Sequence, residues 1–167
     1  MFLSKKRKNR EKRQKKQKQQ EANKDNTSLA REIASYAIIV IIAVLLAAHL
    51  NVVVSGSMEP SFYRGDIVAT VNTNTYGIQE FNPETDVNEG DVVVYNATWY
   101  KEPVIHRVID VQMINGSKYF TIKGDNNNKE DPYLVQPSQI RSKVITVGGH
   151  LVVIPKIGYV TLLFRGL

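Results

Sequence analysis

The chain has no cysteine among its 167 residues. Thiol catalysis, disulfide staples and cysteine-type zinc sites are excluded, and the redox compartment leaves no trace in the sequence. Histidine is scarce as well: His49, His106 and His150 are spread along the chain and form no metal-ligand cluster. Charged side chains are missing from one stretch altogether, the 22 residues 33–54 (IASYAIIVIIAVLLAAHLNVVV). Apolar ones are almost missing from another, residues 4–24 (SKKRKNREKRQKKQKQQEANK). No internal repeat is visible, and no helical period stands out beyond the apolar stretch.

What is present divides the chain into unlike parts. Residues 1–32 hold 12 Lys/Arg against 4 Asp/Glu, whereas the remaining 135 residues hold 10 against 12. The net charge of +6 is therefore a basic tail on a mildly acidic body. A tail this polar cannot bury enough surface to offset its ordering entropy, so it reads as disordered or as a solvated helix. Its charge suits anionic lipid headgroups better than nucleic acid, given the apolar run that follows. Residues 33–54 have the length and composition of a spanning helix, which needs about 20 apolar residues. The preceding Lys/Arg cluster sets the N-terminus in the cytoplasm and residues 55–167 outside. The basic region is too long, and the apolar run too extended, for an ordinary cleaved signal, so the run reads as an uncleaved signal-anchor.

Beyond Pro60 the pattern changes to period two. Strands are expected at Asp66–Asn72, Asp91–Tyr95, Val104–Ile114, Tyr119–Lys123 and Lys143–Ile154. Turn signals separate them, the strongest being Asn115-Gly116 between two β-rich runs. Residues 73–89 read as a polar loop. Pro155, Lys156 and Gly158 interrupt the apolar end of the chain, leaving a last strand and a surface segment that touches the bilayer, or the start of a second spanning helix. The body is mainly β, with an antiparallel sheet.

The chemistry-bearing residues follow the apolar run directly. Ser55-Gly56-Ser57-Met58-Glu59-Pro60-Ser61 begins where an anchor would emerge from the membrane. A serine hydroxyl needs a neighbouring base to act as a nucleophile. Gly56 permits close backbone approach, and Pro60 stiffens the turn. Ser57 can attack a carbonyl while its own N–H holds the oxyanion, with the Ser55 hydroxyl as a second donor. His106 lies in Val104-Ile105-His106-Arg107-Val108, where strand alternation puts Val104, His106, Val108 and Asp110 on one face. Imidazoles titrate near ~6.5, which suits a base working at neutral pH. Asp125 and Asp131 bracket an Asn-rich turn, and either can hold the second ring nitrogen of a histidine. Taken one at a time, a flexible Ser-Gly-Ser, a packed core histidine and a solvated turn are the ordinary readings of these pieces.

As an ordered set they resemble a known family. Ser55-Gly56-Ser57-Met58-Glu59-Pro60 followed by Arg64-Gly65-Asp66-Ile67-Val68 looks like the serine box of type I signal peptidases. His106-Arg107-Val108-Ile109 resembles the second catalytic box, and Lys123-Gly124-Asp125-Asn126-Asn127 the third. A histidine where the common bacterial enzymes carry a lysine resembles the endoplasmic-reticulum type of eukaryotes, archaea and some Gram-positive bacteria. The resemblance implies a mostly antiparallel signal-peptidase-like catalytic domain with an apolar face on the bilayer. It implies Ser57 as nucleophile, His106 as general base, Asp125 and Asp131 as acidic site residues, and a structural Arg107. Ser55 matches the oxyanion-hole residue of the lysine-type enzymes. The substrates implied are signal-peptide-bearing preproteins with small residues at −1 and −3, met at the cell membrane beside the secretion machinery. No cofactor, metal or nucleic acid is expected. Many prokaryotic members continue into a second spanning helix, whereas these residues end at Leu167. A histidine base predicts activity that rises across the ordinary imidazole range, about 6–7. A curve climbing only above about pH 8.5 would point to Lys101 or Lys123 instead. The alternatives are a catalytically inactive membrane adaptor and a membrane-tethered binding module of the same fold.

Overall fold

The computed structural model describes residues 2–166. The chain divides between Leu46 and Ala47 into two compact units. The first is formed by one helix, α1 (Phe2–Ala47), whose last residue falls in the second. The many Lys, Arg, Gln and Glu residues of the basic segment are good helix formers. Within α1, Thr27–Ala47 is long and apolar enough to cross a membrane, and its side chains are exposed along its length.

The helix ends earlier than the apolar run does. The sequence reading of one spanning helix over 33–54 is corrected here: residues 50–54 belong to the second unit. Leu50–Val52 form strand β1, which pairs with Ile67–Asn72 (β2) through Leu50↔Ala69 and Val52↔Ile67. Val53 continues the pairing by exchanging hydrogen bonds with Gly65 and Asp66. Asn51 sits in this sheet because its Nδ2 donates to Thr70 Oγ1 at 2.8 Å.

The remaining strands of the second unit are β3 (Val92–Tyr95), β4 (Val104–Ile114), β5 (Ser117–Lys123), β6 (Ile140–Val144), β7 (Thr146–Val147), β8 (His150–Leu151) and β9 (Val153–Ile154). All the pairings are antiparallel, in the order β1-β2-β6-β3-β4-β5, with β9 also on β2. β7 and β8 form a separate small pair. The protein is thus a mainly antiparallel β body preceded by an apolar helix. Asn115 and Gly116 take φ of 51° and 80°, the two positive angles that a tight β-hairpin turn requires.

Two expectations for the body are corrected. The run Lys143–Ile154 is three short strands and the end of β6, because Gly148 and Gly149, both with positive φ, turn the chain inside it. The polar loop 73–89 contains a one-turn helix, α2 (Pro83–Asp86), capped by Asn82 and tied down where Lys118 Nζ donates to the Glu84 and Val87 carbonyls. The C-terminal stretch ends in helix α3 (Tyr159–Arg165), started at Gly158 and closed by Gly166 at φ 67°. Its Leu162 is buried.

Two apolar clusters hold the body. The larger, around Tyr95, Val108, Phe120 and Ile140, lies among β3, β4, β5 and β6. The smaller contains Met58 and Phe62 with Val53, Val68, Val92 and Val144. It is the one that matters for the site. Met58 directly follows Ser57 and is fully buried, and Phe62 is 1% exposed, so the serine loop is pinned at both ends by apolar burial. Full burial of such side chains is worth about 1.5–3 kcal/mol each.

Candidate active site

Ser57 lies on the loop that follows β1. Asn126 N–H donates to Ser57 O at 2.8 Å, and Asn126 Nδ2 donates to Gly56 O at 3.1 Å. The turn after β5 therefore grips the serine loop through its backbone. The Ser57 hydroxyl faces that of Ser55 at 3.2 Å. Among the described residues the Ser57 N–H has no acceptor, so it is free to serve a ligand.

His106 lies in the first half of β4 and is 4% exposed. Its neighbours Val104 and Val108 are buried on the same face. Alternation does not carry on to Asp110, as the sequence reading had it. A bulge between Val108 and Asp110 shifts the register against β5, so Asp110 is exposed.

The structure separates the two aspartates. His106 Nδ1 lies 2.7 Å and 3.0 Å from the two carboxylate oxygens of Asp131. This pairing leaves Nε2 on the side of Gly124 and Ser57. Asp125 makes no hydrogen bond to His106 among the described residues. Arg107 Nε and Nη2 donate to its two oxygens at 2.8 Å and 2.7 Å, and the Ser61 hydroxyl donates to it as well. Burial pushes the Asp125 carboxyl up, but the hydrogen bonds from Arg107 and Ser61 and the Arg107 charge outweigh it and hold the group below its usual range. Arg107 also donates to Gly90 O at 2.8 Å, so this one side chain links β4, the turn before β3, the serine loop and the turn after β5.

Gly124 marks the point where the parts meet. A Cβ at that residue would lie 2.7 Å from Ser57 O, 2.8 Å from Asn127 Nδ2 and 2.9 Å from His106 Nε2. Only a glycine lets the turn, the serine loop and the imidazole pack so closely. One more residue in these contacts carries no site signal in the sequence, Tyr95. Tyr95 donates its hydroxyl to Asp131 Oδ2 at 2.7 Å. No motif signals it, since it reads only as the end of a valine-rich strand.

Ser55, Ser57, His106 and Asn127 border a cleft of about 680 Å³. One wall is β1 and its continuation to Val54, and the other is Trp99, Tyr100 and the run from Glu102 to Ile105. Both walls offer unpaired backbone. β1 pairs with β2 on one edge alone, and β5 pairs with β4 only from Arg107 onward. Neither Lys101 nor Lys123 borders this cleft.

A buried imidazole–carboxylate pair beside a serine loop, at a cleft lined by strand edges, is an arrangement able to support nucleophilic attack by the serine. Comparison with known proteins gives the family. The model of the family described as signal peptidase, peptidase S26, matches residues 26–114, a span that includes Ser57 and His106. An uncharacterized protein of Methanocaldococcus jannaschii is 35% identical over 180 residues, covering 73% of this chain and 86% of its own. The signal peptidase complex catalytic subunit SEC11 of Saccharomyces cerevisiae is 39% identical over 127 residues, covering 72% of this chain and 68% of its own. The subunit of the same name from Clavispora lusitaniae is 37% identical over 114 residues, covering 67% and 63%. The chain belongs to the signal peptidase family, peptidase S26. It spans about two thirds of the length of these fungal relatives.

Proposed function

We propose that the protein is a membrane-bound serine endopeptidase that removes N-terminal signal peptides from exported preproteins. The observation that carries this reading is the His106–Asp131 pair, closed off on the Nδ1 side and open toward Ser57 on the other. An extended peptide entering the cleft can hydrogen-bond to the free edges of β1 and early β4, which brings a scissile carbonyl to the serine. Ser57 Oγ turns from Ser55 to attack the carbonyl carbon. His106 Nε2 takes its proton, and Asp131 stabilises the imidazolium that forms. The free Ser57 N–H and the Ser55 hydroxyl are the donors for the oxyanion. The imidazolium then protonates the departing amine, leaving an acyl-enzyme on Ser57. A water molecule, deprotonated by His106, hydrolyses the ester and restores the serine.

Asp125 has a different role in this account. Clamped by Arg107, it holds the serine loop against the turn after β5 and takes no proton. Helix α1 anchors the chain in the cell membrane, with its basic flank in the cytoplasm and the β body outside. Cleavage after small residues at −1 and −3 is the specificity proposed from the family.

The test is cleavage of a preprotein with a small-x-small site by membranes carrying the wild type or Ser57→Ala. The expected result is cleavage at that bond by the wild type alone. Equal cleavage by both would remove Ser57 as the nucleophile.

A further inference from the structure

The Asp131 side chain is buried, with 4% of it exposed. A carboxylate so placed is costly unless donors surround it. Its main chain is fixed where Asp131 N–H donates to Ile122 O at 2.8 Å. Among the described residues its side chain has two donors: both reach Oδ2, and His106 Nδ1 also lies 3.0 Å from Oδ1. His106 Nδ1 and the Tyr95 hydroxyl each lie 2.7 Å from Oδ2.

Tyr95 closes β3 with 0% exposure, inside the apolar cluster that also holds Val93, Phe120 and Ile140. A phenylalanine ring would fill the same space, so packing alone gives no reason for a hydroxyl there. Burial, and then the bond to Asp131, push the phenol above its ordinary range, which favours its protonated, donating form. Tyr95 itself does not border the cleft.

We propose that Tyr95 is a positioning residue for the Ser57–His106 reaction, fixing the Asp131 carboxylate in the orientation that holds the His106 ring. The inference rests on the reading of Ser57 and His106 given above. Without the hydroxyl, the carboxylate keeps the His106 Nδ1 donor, shared between its two oxygens, and gains freedom to rotate about its Cβ–Cγ bond. The imidazole then spends less time with Nε2 directed at the serine. The lost interaction acts through geometry and charge at the base, not through substrate contact.

The test uses the full chain in phospholipid vesicles with a preprotein substrate. Tyr95→Phe should lower kcat about 10- to 100-fold, the range expected for losing a hydrogen bond to a charged group, and leave KM unchanged. Adding Tyr95→Phe to Asp131→Asn should cost nothing further, because the carboxylate it positions is already gone. The downfield proton resonance of His106 Nδ1–H should move in Tyr95→Phe. Wild-type kcat in the single variant, or full additivity with Asp131→Asn, would overturn the proposal. If Tyr95→Phe does not fold, 3-fluorotyrosine at residue 95 preserves the shape and strengthens the donor. A changed kcat and resonance are then expected, and unchanged values would overturn it. Ser57→Ala and His106→Ala are run alongside: activity in either one removes the underlying reading, whereas their inactivity with a silent Tyr95→Phe removes the Tyr95 proposal alone.

Discussion

Replacing Gly124 by alanine tests the packing of the site with one methyl group. The new Cβ would meet Ser57 O at 2.7 Å, Asn127 Nδ2 at 2.8 Å and His106 Nε2 at 2.9 Å. Ordinary contacts begin near 3.4 Å, so each neighbour must yield by half an ångström or more. The Asn127 amide can swing away. Ser57 O cannot easily do so, because it is backbone and is held by Asn126 N–H from the same turn at 2.8 Å. His106 is fixed from the other side by Asp131. The strain must therefore separate the serine loop from the imidazole. Misplacing reacting groups by about 1 Å costs on the order of 100-fold in rate. Overpacking of this kind costs about 1–3 kcal/mol of stability, well within the ~5–15 kcal/mol of a typical domain. The variant should fold, melt somewhat earlier, and cleave a preprotein about 100 times more slowly. Initial cleavage rates and thermal melts of the two proteins in vesicles are the assay. Cleavage by Gly124→Ala within about threefold of wild type would show that the loop and the ring are not held as tightly as these distances require.

Other predictions concern the supports of the site. Asp125 is held below its usual carboxylate range, so its ion pair contributes stability above the unfolded value of about 3.9 and loses it as pH falls through the folded value. Wild type should accordingly exceed Asp125→Asn in urea-melt stability at pH 7, with the gap closing below about pH 4; a gap that persists undiminished under strong acid would contradict the assignment. Arg107→Lys keeps the charge but loses the two-pronged grip on Asp125, and should lower both stability and cleavage rate, measured in the same two assays. Gly65 has φ of 87°, and a Cβ there would lie 2.3 Å from the Tyr159 ring. Gly65→Ala should therefore destabilise by about 1–3 kcal/mol, and pairing it with Tyr159→Ala should cost less than the two single changes added together; simple additivity would refute the clash.

Much of this architecture is legible in the sequence, and the exceptions have identifiable causes. β4 is readable over its whole length because valine and isoleucine recur between polar residues, and its hairpin is readable because Asn115-Gly116 accepts two positive φ angles. The bulge after Val108 is hidden, since no glycine marks it and only the pairing with β5 reveals it. The end of α1 is hidden for a related reason. Apolar residues continue through Val54 without a break, and what turns residues 50–52 into strand is the partner β2, distant in sequence. The bounds of α3 are hidden because Pro155 and Gly158 read as breakers, whereas Gly158 is the N-cap of a helix of seven residues. At the site, Ser57 and His106 are visible as residue types in a particular order. Choosing between Asp125 and Asp131 is beyond sequence, because both sit in a polar turn. The choice depends on where Arg107 and His106 point from adjacent positions of one strand: the arginine takes Asp125 and the histidine takes Asp131.

The central claim is that Ser57 carries the acyl group and His106 puts it there. It is tested most directly with an ester substrate of matching acyl-side sequence, quenched in acid within the first turnover and followed by peptide mapping. The account predicts one acyl group per chain on the peptide containing Ser57, slow to appear in His106→Ala and absent in Ser57→Ala. An acyl group on another residue, or hydrolysis by Ser57→Ala at the wild-type rate, would contradict it.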